Sequence, residues 1–305
     1  MKIPTYQDLG LGSKLGKSGN RLIQQDGSFN IIRKGNIGWS TYQTLIGMSN
    51  GAFIVMSVLF FIAINALFAL LFLYVGVEEL NGVPRGGGTF DEFLYAFFLS
   101  VQTFTTVGYG VISPDGIAAN IVASFCALTG LVSVALVTGL FFARFSRPRS
   151  YLSFSNVAIL TPYQSGMSLQ CRIVNQRSHK IIDLKAQMVM TWIEENNGIT
   201  QRRYTALDLE RDSVFLFPLN WTLVHPINER SPLQGKTLTD INDMHAEFLV
   251  IVSGHDESYN QTVHANSSYI CKEIKEGVKF KMMYNSENGK TTELYLDELS
   301  EVEEI

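Results

Sequence analysis

The chain has 305 residues, 46% of them hydrophobic and 17% charged, with a formal net charge of −4. That charge gives no electrostatic case for a nucleic-acid binder, and the slightly positive mean hydropathy is unusual for a purely soluble protein. Three cysteines, Cys126, Cys171 and Cys271, show no CxxC spacing, which argues against a disulfide framework and for buried thiols in a reducing compartment.

Residues 1–37 are polar and glycine-rich and read as a cytoplasmic N-terminal segment with no signal peptide. Residues 38–50 read as an interfacial slide helix: Trp39, Tyr42, Leu45 and Ile46 fall on one face, suited to lie flat at the inner leaflet. Residues 51–148 form a transmembrane domain. Its two uncharged runs, 52–76 and 117–143, exceed the roughly 20 residues that a bilayer requires. Each is an outer or inner helix, because only helices and closed barrels satisfy backbone groups in lipid. Asn65 is the one strongly polar residue of the first run.

Basic residues flank the pair: Lys14, Lys17, Arg21, Arg33 and Lys34 before it, Arg144, Arg147 and Arg149 after it. The loop between has Arg85 against Glu78, Glu79, Asp91, Glu92 and Asp115. Both termini are therefore expected in the cytoplasm, with residues 77–116 outside. Within that loop, Phe90–Phe104 is apolar but too short to span, and reads as a re-entrant half-helix. Thr89 and Glu92 match a capping box at its start.

The half-helix runs into Thr106-Val107-Gly108-Tyr109-Gly110. Non-helical backbone at membrane depth is tolerated only where protein buries it or it lines a wet cavity. A cation stripped of water needs replacement oxygens that hold it loosely, and backbone carbonyls are neutral dipoles of that kind. They all point inward only if unusual dihedrals alternate, which Gly108 and Gly110 permit. Val107 and Tyr109 then point away and pack against the half-helix. The segment looks like the carbonyl filter of potassium channels, whose established sequence is TVGYG, and the alternating dihedrals give the physical reason for that motif.

Residues 149–305 change character. Short β-rich segments such as SLQCRIV, KAQMVMTWI and EFLVIVSG alternate with turns, which suggests an antiparallel sandwich. One helical insert starts near Thr237 or Thr239, and the acidic tail after Thr292 reads as a solvated end. His225, His245, His255 and His264 lack metal-ligand spacing and read as structural.

The chain resembles inward-rectifier potassium channels of the prokaryotic KirBac type, over about residues 28–300. The resemblance is carried by the filter, ARFSRP (143–148), WTLVHPINERSPL (221–233), EFLVIVSGHDE (247–257) and SSYICKEI (267–274). It implies a two-helix α pore domain with a re-entrant pore helix, and an all-β immunoglobulin-like cytoplasmic domain, in a homotetramer of the bacterial inner membrane. The implied permeant ion is K+, held at Thr106, Val107, Gly108 and Tyr109, with no organic cofactor and no enzymatic activity. The hinge glycine falls on Gly130, and pore-lining positions fall on Val134, Thr138 and Phe142. The last three are four apart, so they share one helical face. Phe142 matches the bundle-crossing gate, or else is one more lipid-facing aromatic. A second constriction matches Gly254, His255, Asp256, Glu257, Ser258, Tyr259, Asn260, Gln261 and Thr262.

Arg144, Arg147 and Arg149 match the basic cluster that meets anionic lipid headgroups; positive-inside topology explains them equally well. Three departures stand out. Val134 replaces the cavity acid of strong rectifiers, so weak block by polyamines or Mg2+ is expected. Gln102 and Ile112 replace the ion pair behind the filter, leaving polar packing to hold it. The basic-aromatic pair at the start of the outer helix is missing near 49–51. Two rivals remain: a two-helix channel with a ligand-sensing domain, for which no GxGxxG is present, and a membrane-anchored β-sandwich binding module, which leaves TVGYG unexplained.

Overall fold

A computed structural model describes residues 21–35, 38, 40–84, 86, 88–146, 151–196, 199–286 and 291–305. Lys14, Lys17, Trp39, Arg85, Arg147 and Arg149 lie outside the described residues. The chain divides into two units, residues 36–147 and residues 1–35 with 148–305.

The first unit is helical. Helix α1 (Thr41–Gly47) is capped by Ser40 and is shorter than the slide helix read from sequence. Helix α2 (Asn50–Val75) is capped by the Ser49 hydroxyl, which accepts from Ala52 N, and it stops at Gly76. Its 26 residues span about 39 Å, enough to cross a bilayer. After a two-residue strand β1 (Leu80–Asn81) comes the half-helix α3 (Thr89–Phe104). The capping box expected from Thr89 and Glu92 does not form: α3 starts one residue earlier, with Gly88 as cap and no side-chain cap bond. Asp91 N and Glu92 N bond the Gly88 carbonyl directly, and the two carboxylates sit at the positive end of the helix dipole.

Strand β2 (Ser113–Pro114) pairs with β1, and helix α4 (Ile117–Phe145) follows. Its cap comes from a distance: Glu79 Oε2 accepts from Ala119 N at 3.1 Å. Ala69 and Phe72 of α2, Ala96 and Leu99 of α3 and Ala119 of α4 form the buried core. Small residues at these contacts let the helix backbones approach closely, the mode of packing that lipid favours.

The second unit is a β-sandwich. Its strands are β3 (Leu152–Phe154), β4 (Ala158–Tyr163), β5 (Gly166–Asn175), β6 (Ile181–Asn196), β7 (Ile199–Leu207), β8 (Ser213–Leu216), β9 (Asn220–Ile227), β10 (Glu247–Asp256), β11 (Gln261–Ile270) and β12 (Ile274–Glu276). One sheet runs β11-β10-β6-β7 with β8 also on β6; the other runs β12-β4-β5-β3 with β9 on β5. Leu169, Cys171 and Ile173 of β5 meet Met188 and Met190 of β6 and Phe248, Val250 and Val252 of β10 in the core, at the period-2 spacing of strands. The pairing is not wholly antiparallel as expected: β12 joins β4 in parallel. Helix α5 (Leu238–Asp243) has the Thr237 cap foreseen, with Asp240 completing a capping box.

The acidic tail is folded, contrary to the solvated end read from sequence. Strand β13 (Val278–Phe280) pairs with β16 (Val302–Glu304), and β14 (Tyr284–Asn285) with β15 (Glu293–Leu294). Leu299 and Met283 pack on Val174, so apolar residues interleaved with the acids anchor the segment. Arg172 crosses the Phe280 ring and donates to Lys281 O.

The N-terminal segment docks on the same sandwich through side chains. The buried Glu247 carboxylate accepts from Leu22 N at 2.8 Å, Ile23 N at 3.2 Å and Arg202 Nη1 at 3.3 Å. Arg21 reaches Glu273, Ser268 and the Ile23 carbonyl. Glu247→Ala is expected to destabilise this unit by about 3–5 kcal/mol, since it breaks a buried ion pair with Arg202 and removes the acceptor of two buried amides. Thermal unfolding of the detergent-solubilised chain measures this; an unchanged midpoint would show that water replaces the carboxylate at no cost.

His225 is structural, as read. Nδ1 donates to the Asp208 carbonyl at 2.7 Å, so Nε2 accepts from Ser231 Oγ at 2.8 Å. Burial holds its pKa below the ordinary histidine range, opposed by the bond to the Asp208 carbonyl. The unfolded chain therefore takes the proton first. Stability falls as pH drops below about 6.5, and the loss stops growing below the depressed folded-state pKa. The unfolding midpoint should decline from pH 7 to pH 5, and His225→Gln should flatten that part of the profile.

Candidate functional site

The site begins at the C-terminal end of α3. That end carries the negative half of the helix dipole and has no basic residue in its last turn. Its carbonyls are taken up by the following segment. Val101 O accepts from Thr105 N, Thr103 O from Thr106 N, and Gln102 O from both Val107 N (2.9 Å) and Gly108 N (3.3 Å). The polar segment thus hangs from the helix end by its amides. Among the described residues, no hydrogen bond falls on the carbonyl oxygens of Thr106 to Gly110.

The dihedrals alternate in sign. φ is +60° at Thr106, +53° at Gly108 and +79° at Gly110, while Val107 and Tyr109 keep negative φ. Successive residues of opposite hand turn their N–H groups to one side of the chain, which leaves the carbonyls to the other. Glycine adopts positive φ without steric cost; Thr106 does so at about 1–2 kcal/mol and is held by its bond to Thr103 O.

The outer end of the segment is braced. Gly82 lies so close to Val111 that a Cβ added there would stand 1.9 Å from the Val111 carbonyl oxygen. Ile112 is buried beside Leu80, and β1–β2 closes the loop behind it.

Val107 and Tyr109, expected to pack against the half-helix, are not buried within one chain, at 51% and 75% exposed. Nor does the Gln102 side chain hold the segment. Its Oε1 is buried without a hydrogen-bond partner among the described residues, and its backbone carbonyl does the holding.

On α4, Val134, Thr138 and Phe142 are all exposed, Phe142 at 73%. Gly130 is buried, and α4 is one continuous helix through it. A Cβ there would stand 2.1 Å from the Phe104 carbonyl oxygen, so close backbone packing accounts for this glycine.

Arg144 is committed internally. Its guanidinium donates to Leu45 O, Ile46 O, Met48 O at 2.7 Å and Asn50 Oδ1 at 2.8 Å, and stacks on Phe53. It closes the C-terminal end of α1, where a headgroup role would have left it open.

Residues 254–262 form a hairpin in the sandwich unit. His255 pairs with Thr262 and Asp256 with Gln261, leaving a four-residue turn. Asp256 Oδ1 accepts from Ser258 N and Tyr259 N, and Asn260 takes φ +49°. Gly254 packs on Leu184 and Ile181, where a side chain would collide. The sequence reading missed His179, whose Nε2 lies 3.2 Å from Asp256 Oδ2. Its partner is 77 residues away, and no local spacing signals the contact. No group of His, Cys, Asp or Glu suited to a metal ion occurs among the described residues.

Residues 152–305 match the model for the inward rectifier potassium channel C-terminal domain, and residues 32–152 match that for ion transport proteins. The chain is 37% identical over 265 residues to the inward rectifier potassium channel Kirbac3.1 of Paramagnetospirillum magnetotacticum, covering 85% of this chain and 88% of that one. The chain belongs to the inward-rectifier potassium channel family. Inward rectifier potassium channel 4 of Homo sapiens is 29% identical over 242 residues, covering 70% of this chain and 54% of that protein. Inward rectifiers are ion channels, not enzymes, and the two long apolar helices α2 and α4 are the membrane spans such a channel needs. The sandwich is the part matched by the family's C-terminal domain.

Proposed function

We propose that the chain forms a homotetrameric, passive potassium channel in a bacterial inner membrane, with both termini cytoplasmic, whose filter is Thr106 to Gly110. One arrangement carries this reading: the amides of Thr106, Val107 and Gly108 are spent on the α3 end, φ alternates in sign, and the carbonyls accept no hydrogen bond among the described residues. Four such rows around an axis replace the hydration shell of K+ with neutral dipoles. The exposed Val107 and Tyr109 support assembly, since only another subunit can cover them. The negative ends of four α3 dipoles favour a cation at the inner mouth.

Phe142 supplies a ring of four aromatics that closes the inner helices by dewetting, and the 254–262 hairpin supplies the second constriction. Binding of anionic lipid falls to Arg147 and Arg149, since Arg144 is engaged elsewhere. Val134 leaves the cavity without a carboxylate, so block by internal spermine or Mg2+ is weak.

Rubidium flux into proteoliposomes tests the reading. Uptake should be barium-sensitive and exclude sodium, and internal spermine should reduce it only weakly. Absence of such uptake would return the apolar helices to the role of tethers for a binding module. Steep spermine block that Val134 substitutions leave unchanged would place the blocking site elsewhere.

A further inference from the structure

Among the described residues of the helical unit, the buried polar side chains are Asn65 of α2 and Ser100 of α3, and they touch. Ser100 Oγ donates to Asn65 Oδ1 at 2.8 Å. Asn65 Nδ2 donates to Phe61 O at 2.8 Å, which fixes which way the amide faces. Cys126 of α4, equally buried, donates from Sγ to Ser100 O at 3.6 Å and lies 3.7 Å from Ser100 Oγ. Helices α2, α3 and α4 therefore meet at one hydroxyl. Phe68 and Phe104 seal the cluster with Cys126 in an apolar shell.

An amide in the middle of a membrane span is costly unless paired, and a leucine at position 65 would serve a mere tether better. What the pairing holds is informative. Ser100 lies two residues before Gln102, whose carbonyl takes both Val107 N and Gly108 N. Any sliding or rotation of α3 moves that carbonyl, and with it the backbone that hangs from it.

We infer that Asn65, Ser100 and Cys126 are positioning residues for ion selection: they lock α3 to the two spanning helices and so set where the filter carbonyls stand. This rests on the assignment of Thr106 to Gly110 as the filter. None of the three touches the permeant ion.

The test is single-channel recording of the full chain in planar bilayers, reading the K+ to Rb+ permeability ratio and the rate at which barium leaves the pore. Asn65→Leu and Ser100→Ala should each shift these by about threefold, the size expected from one intramembrane hydrogen bond. The double variant should shift them no further than either single one, because both remove the same bond. Fewer active channels with unchanged ratio and barium rate would overturn the inference and leave the cluster as structural glue. So would shifts that add in the double variant. Failure of the filter assignment is told apart by Gly108→Ala: if that variant keeps wild-type potassium selectivity, the assignment itself falls. If it loses selectivity while the cluster variants do not, only the positioning role falls.

Discussion

Gly130→Ala should abolish potassium flux, whereas Gly139→Ala on the same helix should leave it within about twofold. The two glycines differ in what surrounds them. A Cβ at Gly130 stands 2.1 Å from the Phe104 oxygen, 2.8 Å from its carbon and 2.9 Å from its Cα, while at Gly139 nothing lies within 4 Å. Overpacking commonly costs about 1–3 kcal/mol. Here the colliding atoms are backbone, so relief requires moving the last turn of α3, from which the Thr106–Gly110 segment hangs. A glycine needed only as a hinge makes a different forecast: alanine would alter gating and leave ion selection intact. Rubidium flux together with sodium exclusion, measured on both variants, separates the two. Wild-type selectivity with altered open time in Gly130→Ala would favour the hinge.

The second large effect is expected at Gly108. Its Cβ would meet nothing within 4 Å in this chain, so space within the subunit is not the constraint. The constraint is φ +53°. An L-residue in the left-handed region costs about 1–2 kcal/mol, or about 4–8 kcal/mol over the four subunits of the proposed tetramer. Gly108→Ala should therefore flip the Val107–Gly108 or Gly108–Tyr109 peptide and lose potassium-over-sodium discrimination. A D-alanine introduced at the same position by semisynthesis prefers positive φ and should restore it. If L-alanine and D-alanine behave alike, added bulk and not backbone conformation is the cause.

Much of the membrane unit was legible from sequence for a physical reason. Lipid leaves helices and closed barrels as the only spanning structures, so two uncharged runs and a short one between them declare their own architecture. TVGYG was legible as the established carbonyl-filter sequence of potassium channels, and its glycines do sit at positive φ. What escaped was decided by partners remote in sequence. The cap of α4 comes from Glu79, 40 residues upstream of Ala119. Arg144 looks like one of three arginines near a membrane surface until α1 presents its carbonyl end, 96 to 99 residues away. The pairing of β16 with β13 escaped because β16 is Val302, Glu303 and Glu304, one apolar residue beside two acids, and no local pattern names its partner. Thr89 was misread as a cap because local pattern cannot say whether a helix begins one residue sooner.

The two hydrogen bonds that the Gln102 carbonyl accepts have a consequence for how the proposed pore tolerates change over time. The anchor of the selective backbone is a main-chain atom, which every residue type carries. A lineage can therefore exchange the side chain at position 102, and discard an ion pair behind the filter, without unmooring the atoms that choose the ion. Diversity behind a filter of fixed shape is then the expected evolutionary outcome, with the side chain free to drift toward whatever stiffness its membrane rewards.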